Sequence, residues 1–166
     1  MSEVAKMVEA NAAFADSFDK GDLEIPPARD VVVLTCIDAR IDPARALGID
    51  IGDVHVIRNA GGRASDDAIR SLTISSWLLG TREFAVIHHT DCGMTKFTDD
   101  VLRQRIKDEK GVDVDTDFLT FSDLDQSVRD DVGRIRSTAS LPDGIEVSGF
   151  VYDVRDGRLR EVVAAG

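Results

Sequence analysis

Residues 31–40 read VVVLTCIDAR. The apolar run Val31 to Leu34 has no polar interruption, the pattern of a strand covered on both faces of a parallel sheet. It ends on a thiol, an acid and a guanidinium at Cys36, Asp38 and Arg40. If the chain stays extended there, the two-residue period puts all three on one side. Charged groups leaving an apolar strand need partners or a metal, so further chemistry is expected to arrive at the same place.

On either side, apolar segments alternate between strand and helix periods. Val4, Met7, Val8, Asn11, Phe14 and Phe18 follow helical spacing and Gly21 offers a stop, so residues 1–20 are expected to form an amphipathic helix. Pro26-Pro27 detaches this helix from the first strand, and its stripe can cover a partner subunit as readily as its own. After a strand at about 31–36 come a short helix near 42–48 and a strand from Val54 to Arg58; strand, helix, strand implies a parallel pair. Ser65 is placed to cap a helix with Asp66 and Asp67 in its first turn, running to Leu79 and ending at Gly80. Ile69, Leu72, Ile74, Trp77, Leu78 and Leu79 make that helix apolar on more than one face, so it is expected to be buried or sandwiched.

EFAVIHH, residues 83–89, reads as a central third strand. A helix is expected from Thr98-Asp99-Asp100 to about Glu109 with Gly111 beyond it, then one capped by Ser122 and carrying Leu124, Val128, Val132 and Ile135. A fourth strand near VSGFVYD (147–153) and an Asp156-Gly157 turn into RLREVV (158–163) suggest a closing hairpin. The fold class is α/β: a central, mostly parallel sheet of about four strands flanked by helices, with a C-terminal antiparallel hairpin strand. Residues 1–166 are expected to form a single domain, with no internal repeat and no low-complexity segment.

Composition narrows the function. A net charge of −11 and a pI near 4.6 oppose binding to nucleic acid, whose affinity comes from clustered Lys and Arg. No apolar stretch approaches the ~20 residues of a membrane span, and the first residues lack the basic and apolar regions of a signal peptide. The expected location is therefore cytoplasmic. Two cysteines in an intracellular chain point to reactive or metal-binding roles before a disulfide, against the alternative of two buried free thiols.

The third strand runs into HHTDCGM, residues 88–94, where His89 and Cys92 are separated by two residues. A turn of that length can aim both at one metal. Sites in α/β sheets form beyond the carboxyl ends of strands, so Cys36 is expected to meet His89 and Cys92 there. Two thiolates and one imidazole suit zinc, not magnesium or calcium. With no third cysteine, the fourth position falls to water or to Asp38. A Cys-Arg phosphatase would need a continuous phosphate-cradling loop, which CIDAR is too short to supply; a dithiol redox site lacks C-x-x-C.

The pair Cys36-x-Asp38-x-Arg40 and His89-x-x-Cys92-Gly93, with RNAGG (58–62) between them, resembles the short forms of the beta-class carbonic anhydrases. The resemblance covers roughly residues 28–97, and more weakly the strand-hairpin ending. It implies one zinc ion per chain on Cys36, His89 and Cys92, with Asp38 and Arg40 as a catalytic dyad. It further implies reversible hydration of carbon dioxide to bicarbonate and a homodimer or higher homo-oligomer with sites near the interface. Zinc acidifies a bound water, chemistry for which carbonic anhydrase is itself the standard illustration. Ile37, Ala60 and Gly61 are candidates for the narrow apolar approach that carbon dioxide needs. Hydrolysis of carbonyl sulfide or carbon disulfide is the alternative on the same scaffold, and a non-catalytic zinc-stabilised binding or regulatory module is the alternative of another class.

Other polar residues are weighed against simpler roles. His88 faces away from His89 in a strand and is expected to be a packed or hydrogen-bonded histidine, as is His55. Asp91 is expected to serve its turn before any role beside the metal, and Asn59, Gly61 and Gly62 to supply turn geometry before the helix, with a backbone contact to the site as the sharper option. Arg58 can lie near an anionic product or in a salt bridge.

Overall fold

A computed structural model describes residues 1–166. Five strands form one sheet: β1 (Val31–Cys36), β2 (Val54–Asn59), β3 (Glu83–His89), β4 (Glu146–Tyr152) and β5 (Leu159–Val163), in the order β2-β1-β3-β4-β5. The first four pair in parallel and β5 runs antiparallel to β4 through the hairpin after Tyr152. The order reverses beside β1: the chain goes from β1 outward to β2, then returns across β1 to β3. Such a reversal opens a crevice at the carboxyl ends of β1 and β3.

The helices are α1 (Glu3–Ala15), α2 (Pro43–Leu47), α3 (Asp66–Leu79), α4 (Asp99–Lys110) and α5 (Leu124–Arg136). Ser65 and Thr98 accept hydrogen bonds from Ala68 N and Val101 N, and Gly80 and Gly111 close their helices in left-handed conformation. One sheet face carries Val32, Leu34, Phe84, Val86, Val147 and Val151 against Ala68 and Leu72 of α3 and Val128, Val132 and Ile135 of α5. Gly149 lets α5 come close: a Cβ there would lie 2.5 Å from Val128 Cγ1. On the other face, Val33, Thr35, Ile87 and Tyr152 meet Ile41, Pro43 and Leu47.

Three local expectations are corrected. The cap of α5 is Asp123, whose side chain accepts from Gln126 N, not Ser122. Helix α1 stops at Ala15, short of residue 20, and none of its residues is buried. And α3 is not buried all round: Leu72 is enclosed, whereas Trp77 is 63% and Leu78 75% exposed.

Candidate metal centre

β1 delivers Cys36 into the crevice, and the chain then leaves the extended conformation. Ile41 N donates to the Asp38 carbonyl at 3.0 Å, closing a turn. The grouping of Asp38 with Arg40 therefore comes from this turn rather than from strand alternation. Arg58 on β2 braces it from beside, donating to the carbonyls of Cys36 (3.0 Å) and Asp38 (2.8 Å). Arg58 is thus a backbone clamp on the β1 exit.

β3 delivers His89, and the tight turn after it delivers Cys92. Asp91 makes that turn possible with φ of 52°, a conformation that Asp tolerates better than most residues. The ligand atoms of Cys36, His89 and Cys92 lie within 4.8 Å of one another, and all three residues are buried. His89 donates from Nδ1 to the Thr90 carbonyl at 2.9 Å. That bond leaves Nε2 as the lone-pair nitrogen, and His89 Nε2 is the one buried side-chain nitrogen or oxygen without a hydrogen-bond partner. Orphaned buried polar atoms are rare because each costs its desolvation. A cation between this nitrogen and two sulfurs removes the anomaly.

The thiols carry the same signature. Cys36 is pulled well below the ordinary thiol range, first by its hydrogen bond with Cys92, against the effect of burial, and further by His89 and the Asp38 and Gly61 amides. The Gly61 amide donates to Cys36 Sγ at 3.3 Å. Cys92 is pushed up, first by its hydrogen bond with Cys36 and then by burial. A divalent cation held here would take the place of the remaining thiol proton and release it. Two sulfurs and one imidazole in a buried triangle fit zinc.

Beside the triangle, Arg40 grips Asp38 with Nε on Oδ1 (2.9 Å) and Nη2 on Oδ2 (2.7 Å). These bonds hold the Asp38 carboxyl far below the usual carboxylate range. Asp38 Oδ2 stands 3.8 Å from His89 Nε2. Asp91 bonds the outer edge of Arg40 through Oδ2 and its carbonyl, both at 3.0 Å, so it serves the dyad as well as its turn.

Of the candidate pocket residues, Gly61 is buried against Cys36, while Ile37, 60% exposed, and Ala60 face solvent. The apolar groups packed around the two thiols are Ile41 and Met94, with Phe97, Phe121 and Tyr152 behind them. These were missed in the sequence because Phe97 and Phe121 lie in loops, where no periodicity marks a wall. His88 and His55 are hydrogen-bonded as packed residues, His55 to Ser75 Oγ at 2.7 Å.

Fold and site together define an α/β protein with a buried Cys-His-Cys cluster that could hold a metal at a switch in strand order, and a carboxylate-guanidinium pair at its edge. The carbonic anhydrase family matches residues 31–116. The chain belongs to the beta-class carbonic anhydrase family. It is 45% identical to beta-carbonic anhydrase 1 of Mycobacterium tuberculosis over 152 residues, covering 92% of this chain and 93% of that protein. The crystal structure of carbonic anhydrase from Streptococcus mutans superposes with a TM-score of 0.93 at 44% identity, over 98% of each chain. Carbon disulfide hydrolase of Saccharolobus solfataricus is 36% identical over 162 residues, covering 82% of this chain and 79% of that one.

Proposed function

We propose that this chain binds one zinc ion through Cys36, His89 and Cys92 and catalyses the reversible hydration of carbon dioxide to bicarbonate and a proton. The observation that carries the reading is the unpartnered Nε2 of His89 in one buried triangle with the thiols of Cys36 and Cys92, all within 4.8 Å. Zinc held there supplies Lewis-acid activation of water. Asp38 is kept ionised by Arg40 and offers Oδ2 at the edge of the ligand triangle, where it accepts a hydrogen bond from the reacting water and turns its lone pair outward. So depressed a carboxylate is a poor proton carrier, and the released proton passes to buffer. Arg40 also competes with the metal for Asp38. Ile41 and Met94 beside the thiols, with the solvent-facing Ile37 and Ala60, give a small apolar substrate its approach.

The similarity to a carbon disulfide hydrolase favours a second reading, hydrolysis of carbon disulfide or carbonyl sulfide by the same residues. Stopped-flow assays with all three substrates separate the two readings. A zinc-loaded protein inert toward all three would be a zinc-stabilised binding module. Assembly follows from the surface: α1 presents Val4, Met7, Val8 and Phe14 to solvent, and Trp77 and Leu78 are exposed on α3. Such faces suit a homodimer in which α1 lies on the partner subunit. No helix is long and apolar enough to cross a membrane. The acidic charge fits a cytoplasmic protein that does not bind nucleic acid.

A further inference from the structure

Behind the ligand triangle lies a buried polar cluster that the reaction above does not use. His88 is fully enclosed, and its Nε2 lies 3.2 Å from the Gly62 carbonyl and 3.1 Å from Asp131 Oδ2. Both neighbours are acceptors, so Nε2 carries the hydrogen and donates to them. His88 Nδ1 meets Ser127 Oγ at 2.8 Å. Asp131, on α5, also receives Arg63 through Nε at 2.7 Å and Nη2 at 3.2 Å. Arg63 Nη1 donates to the Leu119 carbonyl at 2.7 Å, and the Phe121 ring lies against both His88 and Arg63. Ser127 is itself buried, so this is no nucleophile-base arrangement open to substrate.

Burying an ion pair and a histidine together costs desolvation that an apolar filling would avoid. What the cluster touches explains its presence. Between Asn59 and Arg63 the chain turns through Ala60–Gly62, with Gly61 at φ 83° and Gly62 at φ 70°. That turn sends the Gly61 amide to Cys36 Sγ. Three holds fix it. Asn59 spans it, Oδ1 accepting from Arg63 N and Nδ2 donating to the Arg63 carbonyl, both at 2.7 Å. Gly62 sits so near β1 that a Cβ would lie 3.0 Å from Cys36 N. His88 and Arg63 then tie the turn's carbonyl and its exit to Asp131.

We propose that His88, Arg63 and Asp131 are positioning residues for the metal: they hold the Ala60–Gly62 turn so that the Gly61 amide stays on Cys36 Sγ and sets that ligand's place and charge. This rests on Cys36 being a metal ligand. Partners outside the ligand set typically govern metal affinity by about 10–100-fold.

The test measures zinc affinity by chelator competition, and the sulfur-to-metal charge-transfer band of the cobalt-substituted protein, in Asp131→Asn, His88→Leu and His88→Gln. The first two are expected to bind zinc about 10–100-fold more weakly and to shift the cobalt band. His88→Gln, whose amide nitrogen can reach the Gly62 carbonyl, is expected to recover most of the affinity. His55→Gln, at a half-buried histidine near the start of β2, bonded to Ser75 and not to the turn, is expected to change neither readout. Should the first two variants not fold, Arg63→Lys, which keeps the charge beside Asp131 but loses the forked contact, decides by the same readouts. Folded variants with lowered melting temperature but wild-type zinc affinity and cobalt spectrum would overturn the inference. Wild-type protein that binds no zinc would instead overturn the ligand assignment beneath it.

Discussion

Arg40 holds both carboxylate oxygens of Asp38, Nη2 at 2.7 Å from Oδ2 and Nε at 2.9 Å from Oδ1, while the same Oδ2 stands 3.8 Å from His89 Nε2. The carboxylate is therefore within reach of the metal position but engaged elsewhere. Removing Arg40 frees it.

Arg40→Ala is expected to keep about one zinc per chain while cutting turnover by about a hundredfold, the lower range for a lost acid-base partner. Arg40 depresses the Asp38 carboxyl, so Asp38 is ionised above its ordinary value and stays ionised well below it. Without Arg40 its protonation moves up toward ~3.9, and the freed carboxylate competes for the metal. Asp38 stays ionised near neutral pH either way, so it is the competition for the metal that moves the activity midpoint to higher pH, which a pH-rate profile reads. Arg40→Lys is expected to rescue only in part, because an ammonium cannot reproduce the forked contact. An unchanged rate and midpoint would reduce the pair to a structural ion pair.

Asp38→Ala separates the two halves of the site. Zinc content stays near wild type, because Asp38 is outside the ligand set, while most turnover is lost. Metal analysis beside stopped-flow rates checks both.

Asp99 gives a prediction about acid stability. It accepts from the Thr120 hydroxyl and from the amides of Phe118 and Thr120, tying residues 118–120 to the start of α4. The Thr120 hydroxyl first, against burial, and then these amides bring its pKa down to about 2. A depressed carboxylate stabilises the fold above its unfolded value near ~3.9 and loses that contribution as pH falls toward about 2. Asp99→Asn is expected to lower stability at neutral pH by about 1–3 kcal/mol. It should also flatten the stability loss between about pH 4 and pH 2 in denaturant titrations. A variant with the wild-type acid slope would contradict this.

Gly149→Ala tests the packing of α5 on β4. Its Cβ would meet Val128 Cγ1 at 2.5 Å and Val132 Cγ2 at 3.0 Å, so α5 must move off β4. About 1–3 kcal/mol of stability should be lost, read by denaturant titration.

Deleting residues 1–20 tests assembly, since none of the residues of α1 is buried in the chain itself. Association should weaken and activity fall together, read by light scattering and rate. A fully active monomer would remove the interface from the mechanism.

Much of this was legible in the sequence because strands and helices here obey their periods. The uninterrupted apolar runs at Val31 and Phe84 mark central parallel strands, and Ser65, Thr98, Gly80 and Gly111 mark helix ends by backbone chemistry that is local. The ligand candidates were readable because Cys36 and His89 end their strands and Cys92 follows His89 after two residues. Their meeting depends on β1 and β3 being neighbours, which the sheet order supplies. Less local features were not legible. The partners of His88 come from Ser127 and Asp131, about forty residues on in α5, and no spacing rule links a strand to a helix that packs on it later. Arg58 was open between product and surface because its acceptors are carbonyls at the end of β1 and in the turn after it, about twenty residues back in the chain. The end of α1 was misplaced because an apolar stripe continued to Phe18 after the helical backbone hydrogen bonds had given way to turn bonds, Ser17 N to the Phe14 carbonyl and Phe18 N to the Ala15 carbonyl.

The most direct test is stopped-flow hydration of carbon dioxide by one preparation in three states: zinc-loaded, stripped by chelator, and reloaded. Hydration should exceed the buffer background when zinc is present, fall to background on stripping, and return on reloading. Equal rates in all three states, or a zinc-loaded protein no faster than buffer, would contradict the proposed function.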